Sequence, residues 1–262
     1  MEDTIKTVAS SDGTALAFDR LGAGPPVVLV SGASTTRGIH DELADLLARD
    51  FTVLNYDRRG RGDSGDARPY PIEREIEDLD AVIAEVGGSA AVFGNSSGAV
   101  LALRAAAAGV AVTKLALWEP PFMVDPDGPR RQQEYVSKLT RLLDEDRRGD
   151  AMALFMKTIG LPDEMIAGMR QSPMWPGMEA IAHTLIYDAT IMGDSLVPSE
   201  LLSTVTMPTL VLHGSDTGDW AASSAKALIA VLPNARQHTL QGQTHAVAWD
   251  VLATPLREFL LG

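Results

Sequence analysis

Short aliphatic runs recur along the 262-residue chain, and their regular spacing limits the folds that it can adopt. The run Val27-Val28-Leu29-Val30 is apolar at every position, which is typical of a strand buried on both faces. Residues 4–9 and 14–20, separated by Ser11-Asp12-Gly13, are predicted to form a hairpin. Further strand-like runs lie at residues 51–56, 90–93, 112–118, 209–213 and, more weakly, 236–240.

Helix-length segments separate these runs. They lie near residues 39–49, 72–86, 97–108 and 219–231, and a last helix follows about residue 246. Strands that alternate with helices form a mostly parallel sheet with helices on both faces. The sequence therefore predicts an α/β fold with a doubly wound, mostly parallel sheet. Ligands of such sheets bind beyond the carboxyl ends of the strands.

Residues 121–200 interrupt this alternation, because the segment has no convincing strand and is rich in Met and Pro. Its helical patches lie near residues 129–147, 150–159, 162–171 and 177–192. We therefore predict a core made of residues 1–120 and 201–262, with residues 121–200 inserted as a helical cap or lid.

Charge and composition exclude several classes of function. The 22 Lys and Arg and 35 Asp and Glu residues give a net charge of −13, which argues against nucleic acid or an anionic membrane as a partner. The absence of cysteine excludes disulfides, thiolate-ligated zinc and a cysteine nucleophile. The start, Met1-Glu2-Asp3-Thr4, is acidic where a secretory signal is basic. We expect a cytoplasmic protein that is a monomer or a homodimer.

The segment Gly94-Asn95-Ser96-Ser97-Gly98 fits the pattern G-x-S-x-G between an apolar run and a helix. A serine exposed on a sharp strand-to-helix turn needs small neighbours, and glycines two positions away on each side supply them. The N-terminus of the helix that follows favours a developing negative charge. Ser96 is therefore the candidate nucleophile.

A serine hydroxyl is a weak nucleophile and needs a base. Of the five histidines, His245 lies in the loop Gln241-Gly242-Gln243-Thr244-His245, after the last predicted strand and before the final helix. This position completes the chain order Ser, acid, His, so His245 is the candidate base.

The acid that would orient this base has two main candidates. In this architecture the acid most often stands three residues after a glycine that ends the penultimate strand, but that position, after Gly214, is Thr217. Asp216 stands one residue earlier and Asp219 two residues later. Glu119, at the end of the preceding strand, could reach the same imidazole. The sequence leaves Asp216 and Glu119 nearly equal.

Together these residues resemble the α/β-hydrolase superfamily over essentially the whole chain. The resemblance rests on the Ser96 segment, on Asp57-Arg58-Arg59-Gly60-Arg61-Gly62-Asp63-Ser64 and on the Gly-Gln-Thr-His that ends at His245. It implies that residues 121–200 stand where the family has its cap domain. The arginines and glycines of residues 57–64 are expected to shape a turn and tie it to neighbouring loops.

The resemblance also implies an oxyanion hole made by the backbone N–H groups of Ser97 and Ala33. Ala33 follows Ser31-Gly32, where relatives more often carry His-Gly. Because the donors belong to the main chain, the missing histidine should leave the hole in place.

Two branches of the superfamily place their acid after the strand that ends at Trp118, namely the haloalkane dehalogenases and the zearalenone lactonases. The text Trp118-Glu119-Pro120 and the Ser-Ser-Gly at Ser96 are locally similar to the lactonases. Dehalogenases resemble the chain less, because their nucleophile is an aspartate. This short similarity keeps Glu119 in contention with Asp216.

The predicted substrate-binding residues lie on the oxyanion segment and on the insertion. Phe122 and Met123 follow the strand that carries Glu119 and are expected near the serine. Trp175 lies in a predicted loop, Ser172-Pro173-Met174-Trp175-Pro176-Gly177, and is a candidate pocket wall. His183 is a second candidate from the insertion, and Ser31 and Gly32 complete the set. Thioethers and aromatic rings favour an apolar, uncharged substrate.

The residues thus predict a cofactor-free serine hydrolase acting on a carboxylic ester or lactone of an apolar small molecule. No His, Asp or Glu cluster has metal-ligand spacing, so no metal is predicted. One alternative is another reaction on the same triad, by a perhydrolase, a C–C hydrolase or a lyase. The other is a small-molecule receptor or carrier on a hydrolase scaffold, because a fold alone does not decide function.

Overall fold

A single eight-stranded sheet runs through the protein, here described over residues 5–262 of a computed structural model. The strands are β1 Lys6–Ala9, β2 Ala15–Leu21, β3 Pro26–Val30, β4 Thr52–Tyr56, β5 Ala90–Asn95, β6 Val112–Trp118, β7 Thr209–Gly214 and β8 Ala235–Leu240. Their spatial order is β1-β2-β4-β3-β5-β6-β7-β8. The contacts β1–β2 and β2–β4 are antiparallel and the others are parallel. The predicted mostly parallel sheet and its N-terminal hairpin are confirmed, although residue 4 of the predicted first strand lies outside the described residues.

Helices lie on both faces of this sheet. They are α1 Asp41–Leu47, α2 Glu73–Ala84, α3 Ser97–Ala107, α4 Gly128–Asp144, α5 Arg148–Thr158, α6 Asp163–Arg170, α7 Trp175–Ile181, α8 Leu185–Met192, α9 Ser199–Leu202, α10 Asp219–Ile229 and α11 Trp249–Leu261. Alternate residues of a strand point to opposite faces. Val28 and Val92 therefore pack with α2, α3 and α10, while Leu29 and Phe93 pack with α1 and α11.

Helices α4 to α9, which we call the inserted helices, all lie between β6 and β7. The inward faces of α4 to α8 form a separate apolar cluster that includes Met152, Met156 and Leu185, whereas Leu202 of α9 packs with the core of the sheet. Met152 and Met156 therefore pack helix against helix, whereas Met165 and Met174 are exposed. Across residues 5–262, no helix combines the length and the apolar character that crossing a bilayer requires.

Two local predictions for the inserted helices are wrong. The patch predicted near residues 177–192 is two helices, α7 and α8, separated by the short 3₁₀ turn Ala182–Thr184. Trp175 does not lie in a loop but begins α7, because Pro176 follows it and a proline suits the first turn of a helix.

The register of the parallel strands brings the predicted site residues to one edge of the sheet. Val30 of β3 stands beside Gly94 of β5, and Asn95 stands beside Trp118 of β6. Trp118 in turn stands beside Leu212 of β7. The segments that follow these strands therefore emerge side by side at the carboxyl end of the sheet.

Candidate active site

Ser96 lies in the sharp turn between β5 and α3. Its φ of 55° and ψ of −126° are unusual for a residue with a side chain and cost on the order of 1–3 kcal/mol. A Cβ added to Gly94 would lie 2.6 Å from the carbonyl oxygen of Gly98, and one added to Gly98 would overlap the carbonyl oxygens of Val30 and Ser31. Both glycines are thus required by the turn, as their spacing predicted.

The segment Ser31-Gly32-Ala33 lies directly against this turn. A Cβ on Gly32 would stand 3.1 Å from Cβ of Ser96, so a glycine lets the two segments approach closely. Ser97 is the first residue of α3, and the first N–H groups of a helix have no partner within it. The two predicted oxyanion segments therefore meet beside Ser96.

His245 and Glu119 form a close pair. Nδ1 of His245 lies 2.6 Å from Oε2 of Glu119. The Glu119 side chain is fully buried, whereas that of His245 is 43% exposed. Because a carboxylate accepts, Nδ1 carries the hydrogen in this pair and Nε2 is left as the basic nitrogen of the neutral ring. The structure thus joins the candidate base to one of its two candidate acids.

Glu119 is held from several sides just after β6. Its backbone N–H donates to the carbonyl oxygen of Leu212 at 3.0 Å, and its φ of 46° turns the chain sharply. Its Oε1 accepts hydrogen bonds from the Gly214 N–H at 2.8 Å and from the Thr217 hydroxyl at 2.6 Å. Together with Nδ1 of His245, these two groups make three hydrogen-bond donors that face one buried carboxylate.

The alternative acid, Asp216, is not paired with the histidine. Its side chain is exposed and accepts a hydrogen bond from Ser215 Oγ at 2.7 Å, and its N–H donates to the carbonyl oxygen of Gln243 at 2.9 Å. The turn after β7 directs Asp216 outward and Thr217 inward. Of the two acids that the sequence left nearly equal, the structure therefore pairs Glu119 and not Asp216 with His245, and Asp219 is likewise exposed at the start of α10.

Sequence reasoning missed two residues beside this pair. Thr217 occupies the position after Gly214 where an acid was expected, and that spacing was the signal for a residue facing Glu119. Trp220 has no such signal; its ring centroid lies 5.7 Å from that of His245, and the side chain is 41% exposed. It gives the histidine an open apolar neighbour.

Phe122 and Met123, which were predicted to lie near Ser96 and to bind substrate, differ in the exposure of their side chains. Phe122 is buried with the residues of α3 and α8 that pack on one face of the sheet. Met123 is half-buried, its N–H donates to the carbonyl oxygen of Ser195 at 2.8 Å, and its sulfur contacts Arg131. Phe122 is thus part of the core that supports the site.

Trp175 does not form an open wall, so this prediction is corrected. It is buried within the cluster of the inserted helices, and its Nε1 donates to Oε1 of Glu179 at 2.7 Å. Its place in α7, one residue before Pro176, turns it toward its own helices.

Nε2 of His183 lies 3.3 Å from a carboxylate oxygen of Asp66. It lines a cleft of about 350 Å³ beside α4 and α8, together with Arg68, Tyr70 and Tyr187. The residues that line this cleft do not include Ser96. The structure thus places His183 in this cleft and beside Asp66.

Two other histidines have structural surroundings. His40 is fully buried beside Phe93 and Trp249, and burial lowers its pKa to about 4. His213 is buried at the end of β7 and contacts Thr239 of β8 at 3.0 Å.

Among residues 5–262, no three His, Asp or Glu side chains stand close enough together to hold a metal ion.

Comparison with known proteins agrees with this fold. The sequence model described as the alpha/beta hydrolase family matches residues 27–259. The crystal structure of an alpha/beta hydrolase from Sphaerobacter thermophilus DSM 20745 is 52% identical, with a TM-score of 0.89, and the match covers 97% of this chain and 99% of that one. The enol-lactonase from Burkholderia xenovorans LB400 is 22% identical, with a TM-score of 0.73 and coverage of 98% and 100%, which shows a shared fold.

A curated relative is much longer than this chain. Polyketide synthase ThaQ of Burkholderia thailandensis is 29% identical over 245 residues, a match that covers 87% of this chain and 11% of the synthase. The chain thus spans about a tenth of that protein. The family match covers most of the sheet and all of the inserted helices, and the chain belongs to the alpha/beta hydrolase family.

Proposed function

We propose that this protein is a cofactor-free serine hydrolase that cleaves a carboxylic ester or lactone of an apolar small molecule through an acyl-enzyme on Ser96. The observation that carries the proposal is the 2.6 Å contact between Nδ1 of His245 and the buried carboxylate of Glu119. That pair stands at the same edge of the sheet as the Ser96 turn. A buried acid aimed at an imidazole is the arrangement that a general base needs, so it favours a hydrolase over the receptor alternative.

In this proposal Ser96 Oγ attacks the carbonyl carbon while Nε2 of His245 takes its proton. Glu119 keeps the proton of the neutral ring on Nδ1 and stabilises the imidazolium that forms. The imidazolium then protonates the leaving alkoxide, which departs as an alcohol or, for a lactone, stays attached as a hydroxyl. Water attacks the acyl-enzyme next, with His245 again acting as the base, and Ser96 is released.

The negative oxygen of each tetrahedral intermediate would be bound by the N–H groups of Ser97 and Ala33. Removal of one such donor typically slows the chemical step about 10²–10³-fold. The close approach of Gly32 to Ser96 supports this role, because it brings the second segment within reach of an oxygen on the attacked carbonyl.

The substrate class is supported by the surroundings of His245 and by the comparisons. Trp220 offers an open aromatic surface beside the imidazole, which suits an apolar acyl or alcohol group. A similarly folded protein is named an enol-lactonase. We further propose that the inserted helices act as a cap that limits which substrates reach Ser96.

The experiment combines active-site labelling with turnover. Wild type and Ser96→Ala are treated with a fluorophosphonate, and the labelled peptide is identified by mass spectrometry; both are then assayed with a panel of chromogenic short-chain esters and lactones. We expect a single label on Ser96 and a kcat at least about 10⁴-fold lower in Ser96→Ala. Ser97→Ala keeps its backbone N–H and loses only the neighbouring hydroxyl, so it should still be labelled on Ser96, at a rate within about tenfold of wild type. If wild type neither turns over nor takes the label, the receptor alternative replaces this proposal.

A further inference from the structure

The turn after β4 carries three arginines whose side chains are fully buried, Arg58, Arg59 and Arg61. A buried guanidinium is costly unless charge and hydrogen bonds compensate it. Arg58 binds both oxygens of Glu75, at 2.6 and 2.8 Å. Arg59 similarly binds both oxygens of Asp78, at 2.7 and 2.6 Å. Arg61 has neither of these acids as a partner, and its carboxylate comes from the inserted helices.

That carboxylate is Asp188 of α8, whose side chain is 8% exposed. Its Oδ2 accepts from Arg61 at 2.7 Å, and its Oδ1 accepts from Arg58 at 2.9 Å. The same Oδ1 accepts from the hydroxyl of Ser97 at 2.7 Å. Burial alone would raise the pKa of Asp188, but the charges of Arg61 and Arg58 hold it below its ordinary value. Asp188 is therefore a charged group at the centre of the network.

The two arginines also reach the other oxyanion segment. Nη1 of Arg58 donates to the carbonyl oxygen of Ser31 at 3.2 Å, and Nη1 of Arg61 donates to that of Gly32 at 2.5 Å. The segment that leads into Ala33 is therefore fixed by the same guanidinium groups that bind Asp188. Ser97, on the other side of Ser96, is fixed by Asp188 directly.

One carboxylate thus connects three parts of the protein: an inserted helix, the turn after β5 and the segment after β3. The formal charges in this group balance, with Arg58 and Arg61 against Glu75 and Asp188. If Asp188 lost its charge, two buried arginines would share a single acid. The arginines would then shift toward Glu75 or toward water, and the carbonyl groups bound to them would shift as well.

We propose that Asp188 is a positioning residue. It holds the two backbone segments of the oxyanion hole in their positions relative to each other and connects both segments to α8 of the inserted helices. This inference rests on the proposed function, because it concerns the N–H groups that would bind the oxyanion. It assigns Asp188 no contact with the substrate. Displacement of such donors by about 1 Å can cost about 10²-fold in rate.

The test compares Asp188→Asn with Asp78→Asn, which also neutralises a buried partner of an arginine but touches neither oxyanion segment. The readouts are the rate of fluorophosphonate labelling at Ser96, kcat and KM for a short-chain ester, and the affinity for a trifluoromethyl ketone. The ketone is informative because its adduct with Ser96 places an oxyanion in the hole. Melting temperatures are recorded for every variant.

We expect both variants to melt at lower temperature than wild type. In Asp188→Asn, labelling, kcat and ketone affinity should all fall about 10–100-fold, with KM changed less than about threefold. Asp78→Asn should keep all four values within about threefold of wild type. Asp188→Asn rates equal to those of Asp78→Asn would overturn the inference.

A second variant covers the case in which Asp188→Asn does not fold. Ser97→Ala removes the hydroxyl's bond to Asp188 and its long contact with Nη1 of Arg58 at 3.5 Å and leaves every charge in place, so it should melt close to wild type. We expect its ketone affinity and labelling rate to fall about threefold to tenfold, and values equal to wild type would then overturn the inference. Should wild type itself take no label, the proposed function fails and the inference fails with it, a result distinct from a labelled wild type with unaffected variants.

Discussion

The hydroxyl of Thr217 donates to Oε1 of Glu119 at 2.6 Å, on the side of the carboxylate that does not face the histidine. Thr217 occupies the position, three residues after Gly214, at which a catalytic acid was expected from the fold. The carboxylate that faces His245 instead comes from the neighbouring strand, as Glu119, and the residue in the expected position helps to hold it. The end of β6 therefore supplies the carboxylate, and the end of the adjacent β7 supplies a hydrogen-bond donor that holds it.

Replacing Thr217 with Val should slow the enzyme by weakening its hold on Glu119. A hydrogen bond to a charged group contributes about 1.5–3 kcal/mol, so kcat/KM should fall about tenfold or more. Thr217→Ser keeps the hydroxyl and is the matched control, expected within about twofold of wild type. The measurement is steady-state turnover of a short-chain ester by both variants.

A double-variant comparison separates this role from general destabilisation. In a Glu119→Gln background the charged acceptor is already gone, so adding Thr217→Val should change kcat less than about twofold. Equal losses from Thr217→Val in the two backgrounds would show that Thr217 acts independently of Glu119.

Trp220 should determine which acyl or alcohol groups are accepted. Its exposed ring beside His245 offers apolar contact area, and loss of such a contact costs about 1–2 kcal/mol. Trp220→Ala should therefore raise KM about tenfold for esters with long or aromatic groups and leave kcat for an acetyl ester within about twofold. Trp220→Phe keeps a ring, so its KM for the long or aromatic esters is expected to lie between those of wild type and Trp220→Ala. Identical changes for short and long esters would argue that Trp220 does not contact the substrate.

His40 should make the stability of the protein depend on pH. Burial lowers its pKa from 6.5 to about 4, so between these values the unfolded chain binds a proton that the folded chain does not. Its contribution to stability is therefore fully present above pH 6.5 and is lost as the pH falls to about 4, by about 3 kcal/mol. Urea unfolding of wild type at several pH values measures this slope.

His40→Phe provides the comparison for that slope. A phenyl ring suits the edge-on contacts with Phe93 and Trp249, at centroid distances of 5.7 and 5.3 Å, and it cannot titrate. The variant should lose less unfolding free energy than wild type between pH 6.5 and pH 4. Parallel curves for the two proteins would rule out His40 as the source.

The fold and the Ser96 turn were predictable because they depend on local patterns. Strands buried on both faces need continuous apolar runs, as at Val27–Val30, and the turn needs glycine where a Cβ would overlap the backbone, as at Gly94 and Gly98. Each of these requirements is visible in the sequence within a few residues of the strand or turn that it concerns. The position of His245 at this edge of the sheet was predictable for a similar reason, since its loop has a fixed place in the chain order.

The carboxylate that faces His245 was not predictable, because Asp216 and Glu119 both follow strands that end near His245. Which of them faces the imidazole depends on the direction of one turn, and sequence distance does not reveal it. The contacts of Asp188 with Arg58 and Arg61 join residues 130 and 127 positions apart, so no local pattern indicated them. The burial of Trp175 was missed because a Pro-rich segment can be either a loop or the first turn of a helix.

The most direct test of the account compares kcat for a chromogenic short-chain ester in Glu119→Gln and Asp216→Asn. Glutamine has almost the same shape as glutamate but cannot stabilise the imidazolium, so Glu119→Gln should lower kcat about 10³–10⁴-fold. Asp216→Asn changes an exposed side chain and should stay within about twofold of wild type. A Glu119→Gln enzyme within tenfold of wild type, or a large loss in Asp216→Asn, would contradict the assignment of Glu119 as the acid.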